Sequence, residues 1–445
     1  MAHSRATRRI RWALVLVGLS AVLLLAYTGH QALAARDSLQ QVATDVERLQ
    51  GHLVAGDAPA ARSTLRRMQH HASDAETSTR GPGWWLLTRT PAIGPNVHAV
   101  RTVAEVSHEI AGHVLPDVVR ASTVLEPERL RPTDGRVDLA PVERVAPAVV
   151  EADRRLSRQA RRVQAISTAQ LTPQVASPVR RLQAELADAA AISSRTALVV
   201  RLLPRMLGAD GRRTYLLMFQ NNAELRSTGG IPGAFAVVHA DQGRVRLGAQ
   251  GNSSSMGPFR RPVLPLTRTE RELFGTALGS FSQDVTATPH FPRSAQLISA
   301  MWRRVRGVTP DGVLSVDPVA LSYLLRGTGP VQIGQGRSLD ADSAVSTLLN
   351  QVYLDLPDPE DQDAYFARVA RRTFEAVASG QGRPEQVLDG LVTSATQRRV
   401  LLWSAHPEEQ RLIEPTRMGG ALPVRAGRAP QVGVYLNDGS QSKLD

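Results

Sequence analysis

The sequence predicts a mixed α+β chain, with an N-terminal transmembrane helix, then a helical bundle or stalk, then an α/β layered domain built on a central mixed sheet. Three observations predict it. An uncharged apolar run follows a basic N-terminus, heptad-like spacing fills the next stretch, and short apolar runs alternate with helical patterns after Pro204. At about 100–200 residues per domain, the 445 residues leave room for two to four such units. The expected division is 1–35 for the basic tail and anchor, 36–203 for the extracytoplasmic helical module, and 204–445 for the α/β domain.

Arg5, Arg8, Arg9 and Arg11 precede an apolar run from Trp12 to Tyr27, and no further charge occurs until Arg36. Ile10 to Leu33 is long enough to span a bilayer, since roughly 20 helical residues cross the hydrocarbon. Arginine on one side predicts a cytoplasmic N-terminus, a single pass through the cell membrane and an extracytoplasmic bulk. Ala32-Leu33-Ala34 has the small-x-small form of a signal-peptide cleavage site. The length of the apolar run, and the helical periodicity that resumes at once, favour an uncleaved anchor.

Leu39, Val42, Val46, Leu49 and Leu53 step by three and four, which places one apolar seam along a helix. Leu65 and Met68 mark a second helix after the Gly56–Pro59 break; Val103, Val106, Ile110 and Val114 mark another. Gly81-Pro82-Gly83-Trp84-Trp85 reads as a loop with two aromatic side chains, and Leu156, Val163, Ile166, Leu182, Leu186 and Ile192 as the last helices. Together they predict an antiparallel bundle.

In the last segment, Tyr215–Phe219 and Phe235–His239 read as strands, and Asp241-Gln242-Gly243 as a hairpin turn into Val245–Leu247. Helices are expected over Phe291–Arg306, Pro318–Arg326, Ala341–Tyr353 and Asp361–Ser379. Strands are expected at Gly312–Val316, Val331–Ile333, Val400–Trp403 and Val432–Tyr435, and Asn437–Ser440 as a turn. With no closing element after the last expected strand, the domain is expected to lack C-terminal residues.

Composition excludes several chemistries. There is no cysteine, so thiol nucleophiles, disulfides and cysteine-held zinc or iron–sulfur centres are out. Only Lys443 is a lysine, no Gly-x-Ser-x-Gly elbow or His-Glu-x-x-His helix occurs, and a Walker A loop is absent. The formal charge of +12 spreads as +4 over 1–35, +3 over 36–200 and +5 over the rest. Basic residues interleave with acids and aromatics are 4%, so no nucleic-acid partner is expected.

The stretch that stands out is Phe219–Gly230, a polar loop between two expected strands. Asn221, Asn222 and Thr228 offer amides and a hydroxyl, Glu224 a carboxylate and Arg226 a guanidinium. Gly229 and Gly230 let backbone N–H groups approach an anion. Ligands of α/β sheets bind at the carboxyl ends of strands. Arg368, Arg371 and Arg372 fall at i, i+3 and i+4 on one helix face, a second source of guanidinium groups for a phosphate. A polar turn capped by asparagine side chains, and a solvated helix face, are the structural alternatives.

The segments LGADGRRTYLLMFQNNAELRSTGGIPGAFAVV, DGVLSVDPVALSYLLRGTGPV and GVYLNDGSQSKLD resemble an actinobacterial membrane-protein family catalogued as domain of unknown function 4012. The order of features is also similar, more distantly, to the LytR–CpsA–Psr family. Those are membrane-anchored enzymes that move glycopolymers from polyprenyl-pyrophosphate lipid onto peptidoglycan, usually with magnesium. In that family an apolar strand leads into Asp-x-Arg; here Tyr215–Phe219 leads into Glu224-Leu225-Arg226. Its Gly-Gly-Val turn is matched by Gly329-Pro330-Val331, and its closing Arg-x-x-Arg-Gln helix by Arg368-Val369-Ala370-Arg371-Arg372. Thr228-Gly229-Gly230 stands where the family has a further Asp, and its arginine pair before the closing helix is replaced near Asn350 and Tyr353.

The resemblance implies catalytic roles for Glu224, Arg226 and Arg371 and binding roles for Arg368 and Arg372, and the loop's own residue types add Asn221, Asn222, Thr228, Gly229 and Gly230 as expected binding residues. If the family's cofactor carries over, it is magnesium; the resemblance points to polyprenyl-phosphate-linked glycan or peptidoglycan as partner, and the anchor to the lipid bilayer. Three functions follow, each with a structural signature. A glycopolymer ligase requires a pocket joining Glu224 and Arg226 to the Arg368–Arg372 face. A non-catalytic envelope scaffold requires that pocket to be filled, and an assembly module requires an exposed apolar stripe on residues 36–75.

Overall fold

The computed structural model describes residues 3–91, 93–122, 124, 127–334, 336–423 and 432–438, with the side chains of residues 3–26, 127 and 129 outside the description. The chain divides into two compact units. One holds Met1–Glu126 and Pro141–Arg201, and the other Pro127–Ala140 and Leu202–Asp445.

The first unit is helical. It is built of α1 (His3–Val54), α2 (Ala58–Ser78), α3 (Pro82–Leu87), α4 (Gly94–His113), α5 (Leu115–Ser122), nearly all of α6 (Ala140–Gln164) and most of α7 (Pro173–Met206), whose residues from Leu202 on are counted with the second unit. Asp57 caps α2 by accepting the Ala60 N–H at 3.0 Å. The α1 seam differs from the heptad reading by one residue. Val42 and Leu49 are buried, but Val46 is 43% exposed, and Asp45 takes the buried position between them. Asp45 reaches His71 on α2 at 3.0 Å, with Arg48 and Arg67 nearby, so a charge network occupies the place expected for a valine. Val42 packs with Met68, Ala72 and Ala111, and Leu49 with Ala61, Leu65 and Val119, so this seam is covered. Trp84-Trp85 forms the short α3 rather than a loop; Trp84 is buried, and Trp85 is exposed under the Arg89 guanidinium.

The expected anchor, Ile10–Leu33, lies within α1, and most of its side chains fall outside the described residues. Among the described residues no helix is long and apolar enough to cross a membrane.

The second unit is α+β. Its main sheet runs in the order β3-β2-β1-β4-β7. The strands are β1 (Arg213–Asn221), β2 (Ile231–Asp241), β3 (Arg244–Asn252), β4 (Gly312–Val316) and β7 (Val400–Ser404). Only β1 and β4 are parallel; every other neighbouring pair is antiparallel. β1 lies at the centre, and Tyr215, Leu216, Leu217 and Met218 are buried in succession, as a strand covered on both faces requires. The main core joins Leu216, Met218, Phe235 and Val237 to α8 (Phe291–Arg306), which contributes Phe291, Leu297, Ile298, Met301 and Trp302. Gly307 in the left-handed region ends α8.

β5 (Val331–Gly334) leaves the main sheet and pairs with β6 (Arg337–Leu339) in a separate ribbon. This ribbon shares a second core with α9 (Pro318–Thr328) and α10 (Pro359–Ala378) through Leu325, Val331, Leu339, Tyr365 and Val369. The helix expected over Ala341–Tyr353 is instead broken into Ala344–Ser346, a π turn over Thr347–Gln351 and Val352–Asp355. α11 (Pro384–Thr396) and α12 (Pro407–Ile413) complete the unit. Val432–Tyr435, expected as a strand, joins neither sheet; it has no regular secondary structure, with Val432 92% and Val434 81% exposed.

Candidate functional site

The loop from Asn221 to Gly230 leaves the carboxyl end of β1, beside the carboxyl end of β4, with which β1 is in parallel register. Its asparagine starts the turn. Asn221 Oδ1 accepts the Ala223 N–H at 3.1 Å, and its Nδ2 donates to Glu224 Oε1 at 3.0 Å and to the Tyr353 hydroxyl at 3.2 Å. The Ile231 N–H then donates to Glu224 O at 3.2 Å and closes the loop. Burial, followed by the nearby charges of Glu224 and Asp363, pushes the Tyr353 phenol up to about 12. Tyr353 lies two residues after the π turn, a kind of helix irregularity that clusters at functional sites.

The two glycines act by close packing. Gly229 has φ +130°, and a Cβ there would stand 2.2 Å from Gln220 Oε1. A Cβ on Gly230 would stand 2.1 Å from Asn221 O. The loop thus folds back on the end of β1 with no space for side chains. Thr228 is buried, and both its N–H and its hydroxyl donate to Thr286 O at 3.2 Å; Thr286 Oγ1 returns a bond to Gly230 O at 2.9 Å. Two amide atoms in this layer, Gln220 Nε2 and Asn222 Oδ1, are buried with no hydrogen-bond partner among the described residues.

Arg226 points away from Glu224's partners. Its guanidinium donates to Asp438 O at 2.6 Å and Leu225 O at 3.0 Å and lies 3.6 Å from Asp284. The segment 432–438 fastens to the loop here. Asn437 Oδ1 accepts both the N–H and the hydroxyl of Ser227, its Nδ2 donates to Ala287 O, and the Asp438 N–H donates to Leu225 O. Asn437 and Asp438 therefore dock on the loop; the rest of the expected Asn437–Ser440 turn lies outside the described residues.

α10 carries the arginine triplet. The helix is tied to the edge strand β3 by Asn252 donating to Asp363 and by Gln250 Nε2 donating to Ala367 O at 3.1 Å. Arg368, Arg371 and Arg372 are exposed. Arg371 donates to Gln250 Oε1 at 3.4 Å, Arg372 pairs with Glu375 at 3.0 Å, and the Arg368 guanidinium stands 6.0 Å from the Tyr365 ring. The structure links the loop to α10 through Tyr353, whose ring lies 6.0 Å from that of Phe366. Among the described residues, no hydrogen bond or ion pair joins Glu224 or Arg226 to the triplet. Thr286 carries no signal in the sequence, Tyr353 enters it only where the family's arginine pair is replaced, and Asn437 only as the start of an expected turn.

The residues do not fit a magnesium site. Among the described residues, no group of three or more acidic, histidine or cysteine side chains is placed to hold a metal ion. Glu224 bonds Asn221, Asp284 faces Arg226 and Asp363 accepts from Asn252.

Fold and site together define an α+β domain with a mixed five-stranded sheet and a self-bonded polar loop at the carboxyl end of its parallel pair. Residues 210–353, which contain β1 to β6 and that loop, match the family described as "Protein of unknown function (DUF4012)". Neither a curated protein nor a solved structure matches the chain.

Proposed function

We propose that this chain is a single-pass, membrane-anchored protein of the bacterial cell envelope, and that its extracytoplasmic C-terminal unit binds a glycan or protein partner without catalysing a transfer. The observation that carries the non-catalytic reading is the engagement of Arg226. Its guanidinium is committed to Asp284 and to two backbone carbonyls, Leu225 O and Asp438 O. Catalysis of phosphoryl transfer needs donors aimed at charge that develops on the reacting group. A guanidinium whose Nη1 donates to two backbone carbonyls and whose Nη2 faces Asp284 acts as a structural clamp. The anchor rests on the uncharged run after Arg11 and on the arginines that precede it.

A second reading, transfer of polyprenyl-pyrophosphate-linked glycopolymer, is favoured by one observation: Arg368, Arg371 and Arg372 are all exposed on α10. An assay of the full chain in lipid nanodiscs decides between them. The substrate is a labelled polyprenyl-pyrophosphate glycan with peptidoglycan as acceptor, with and without magnesium. The scaffold reading expects the glycan or acceptor to be retained and no lipid phosphate to be released. Release by the wild type that is lost in Arg371→Ala replaces it with the transferase reading.

The anchor has its own test, made clean by the absence of cysteine. Ser4→Cys and Ser38→Cys variants are treated in intact cells with a membrane-impermeant maleimide. Labelling at position 38 alone is the expected result, and labelling at both or only at position 4 overturns the orientation.

A further inference from the structure

The core face of the main sheet continues past the core. Leu216 pairs with Val237 and Met218 with Phe235, all within the apolar cluster. In the same register Thr214 pairs with His239, and β3 then sets Arg246 opposite His239 and Arg244 opposite Asp241. Alternate residues of a strand share a face, so at the amino end of β1 the apolar face gives way to a charged one. There a cavity of about 640 Å³ is lined by Arg136, Arg212, His239, Asp241, Arg244 and Arg246.

Arg136 comes from far away in the sequence. The segment around Thr133–Val137 pairs with the β2–β3 hairpin, Arg136 forming a bridge with Arg244 and the Val137 N–H donating to Gly243 O at 2.9 Å. A Cβ on Gly243 would stand 2.1 Å from Val137 O, so this approach depends on the glycine. Arg136 spends only its Nε, on Gln242 O. Among the described residues, Arg212, Arg244 and Arg246 make no ion pair. His239 rests on Gly248, whose Cβ would stand 3.1 Å from Nε2. Burial, and then the charge of Arg212, holds the His239 imidazole below its ordinary value, so it is neutral near pH 7.

Four guanidinium groups thus face one carboxylate, Asp241, around a cavity in the size range of small-molecule sites. A single monovalent anion leaves most of that surplus charge unmatched. Linked phosphates match it, because each guanidinium presents paired N–H donors to two phosphoryl oxygens. We propose that this basin binds a ligand carrying two or more linked phosphate groups. It lies at the opposite end of β1 from the Asn221–Gly230 loop and does not depend on the function proposed above.

The test is titration calorimetry of the full chain in neutral nanodiscs at fixed ionic strength, with inorganic tripolyphosphate and with orthophosphate. A flotation arm uses phosphatidylcholine vesicles doped with polyprenyl pyrophosphate, to distinguish a free from a lipid-borne phosphate source. Tripolyphosphate is expected to bind at least about tenfold more tightly than orthophosphate, and Arg212→Gln/Arg246→Gln to weaken it by about tenfold or more. Asp241→Asn should tighten it, and Arg180→Gln in the helical unit should leave it unchanged. Vesicle flotation abolished by the double variant, without tripolyphosphate binding, assigns the lipid-borne source and also supports the basin. Absence of both, or equal affinity in the wild type and the double variant, overturns the proposal. If the double variant fails to fold, an Asp241→Asn variant with unchanged affinity overturns it instead.

Discussion

Gly229 and Gln220 are in such close contact that a Cβ on the glycine would stand 2.2 Å from the glutamine Oε1. Gln220 is 5% exposed at the end of the central strand, and Gly229 sits at φ +130°, where side chains are strained. Both effects act together in Gly229→Ala, which is expected to lose about 2–4 kcal/mol of stability. Gly233→Ala on β2 meets nothing within 4 Å and serves as the control, with a change within about 0.5 kcal/mol. Denaturant unfolding monitored by circular dichroism measures both, and equal stability of the two variants refutes the close-packing role.

The bond between Asn221 Nδ2 and the Tyr353 hydroxyl joins the loop to the segment after the π turn. A double-mutant cycle with Asn221→Ala and Tyr353→Phe isolates it. The expected coupling is about 0.5–1.5 kcal/mol, the usual net worth of one such bond. A coupling of zero means that the loop and this segment are energetically independent. The phenol should also stay protonated until about pH 12, read by ultraviolet titration of the wild type against Tyr353→Phe.

How much of this was legible in the sequence depended on how local the signal was. β1 and β2 show as apolar runs because much of each is buried, β3 as a short strand behind a glycine turn, and α8 as a 3.6-residue stripe. β5 reads as a short strand like β4, and nothing local tells that it pairs with β6 instead of joining the main sheet. The apolar Val432–Tyr435 reads as a strand, yet its contacts are made by Asn437 and Asp438 just beyond it. The Arg136–Arg246 basin was invisible for another reason. Its members lie on three separate segments, so charge summed along the chain averages them away, and only the hairpin pairing brings them together. In the loop, residue types suggested a ligand site, but the same amides and hydroxyls are what a tight turn uses for its own bonds.

Asp45 is the least expected core residue of the helical unit, 1% exposed between Val42 and Leu49. Its carboxylate takes His71 and lies within ion-pair range of Arg48 and Arg67, both of which keep about half of their side chains in solvent. Asp45→Ala removes the one buried member and leaves His71 without its acceptor, at an expected cost of about 1–3 kcal/mol after allowance for screening of the exposed arginines. Asp45→Leu fills the seam with apolar volume and is expected to recover much of that loss. Thermal unfolding of the two variants beside the wild type is the measurement. A leucine variant no more stable than the alanine variant would show that the seam does not accept apolar volume at position 45.

His290 supplies a pH dependence whose sign can be worked out. Its Nδ1 accepts the Leu422 N–H at 3.1 Å, which requires the neutral ring. Burial, opposed by Glu414 and Glu270 and aided by Arg293, holds its pKa below the ordinary 6.5. The unfolded chain therefore binds a proton that the folded chain refuses. Above about pH 6.5 neither state is protonated here and the contribution to stability is intact; as pH falls through the unfolded value, stability is lost, until the folded pKa is passed. Urea unfolding at pH 8 and at pH 5 should show a larger drop for the wild type than for His290→Gln, which keeps an acceptor near Leu422 but does not titrate. Equal drops would assign the acid sensitivity to other groups, His239 first among them, since burial and Arg212 shift it in the same direction. His239→Gln in the same experiment then separates the two.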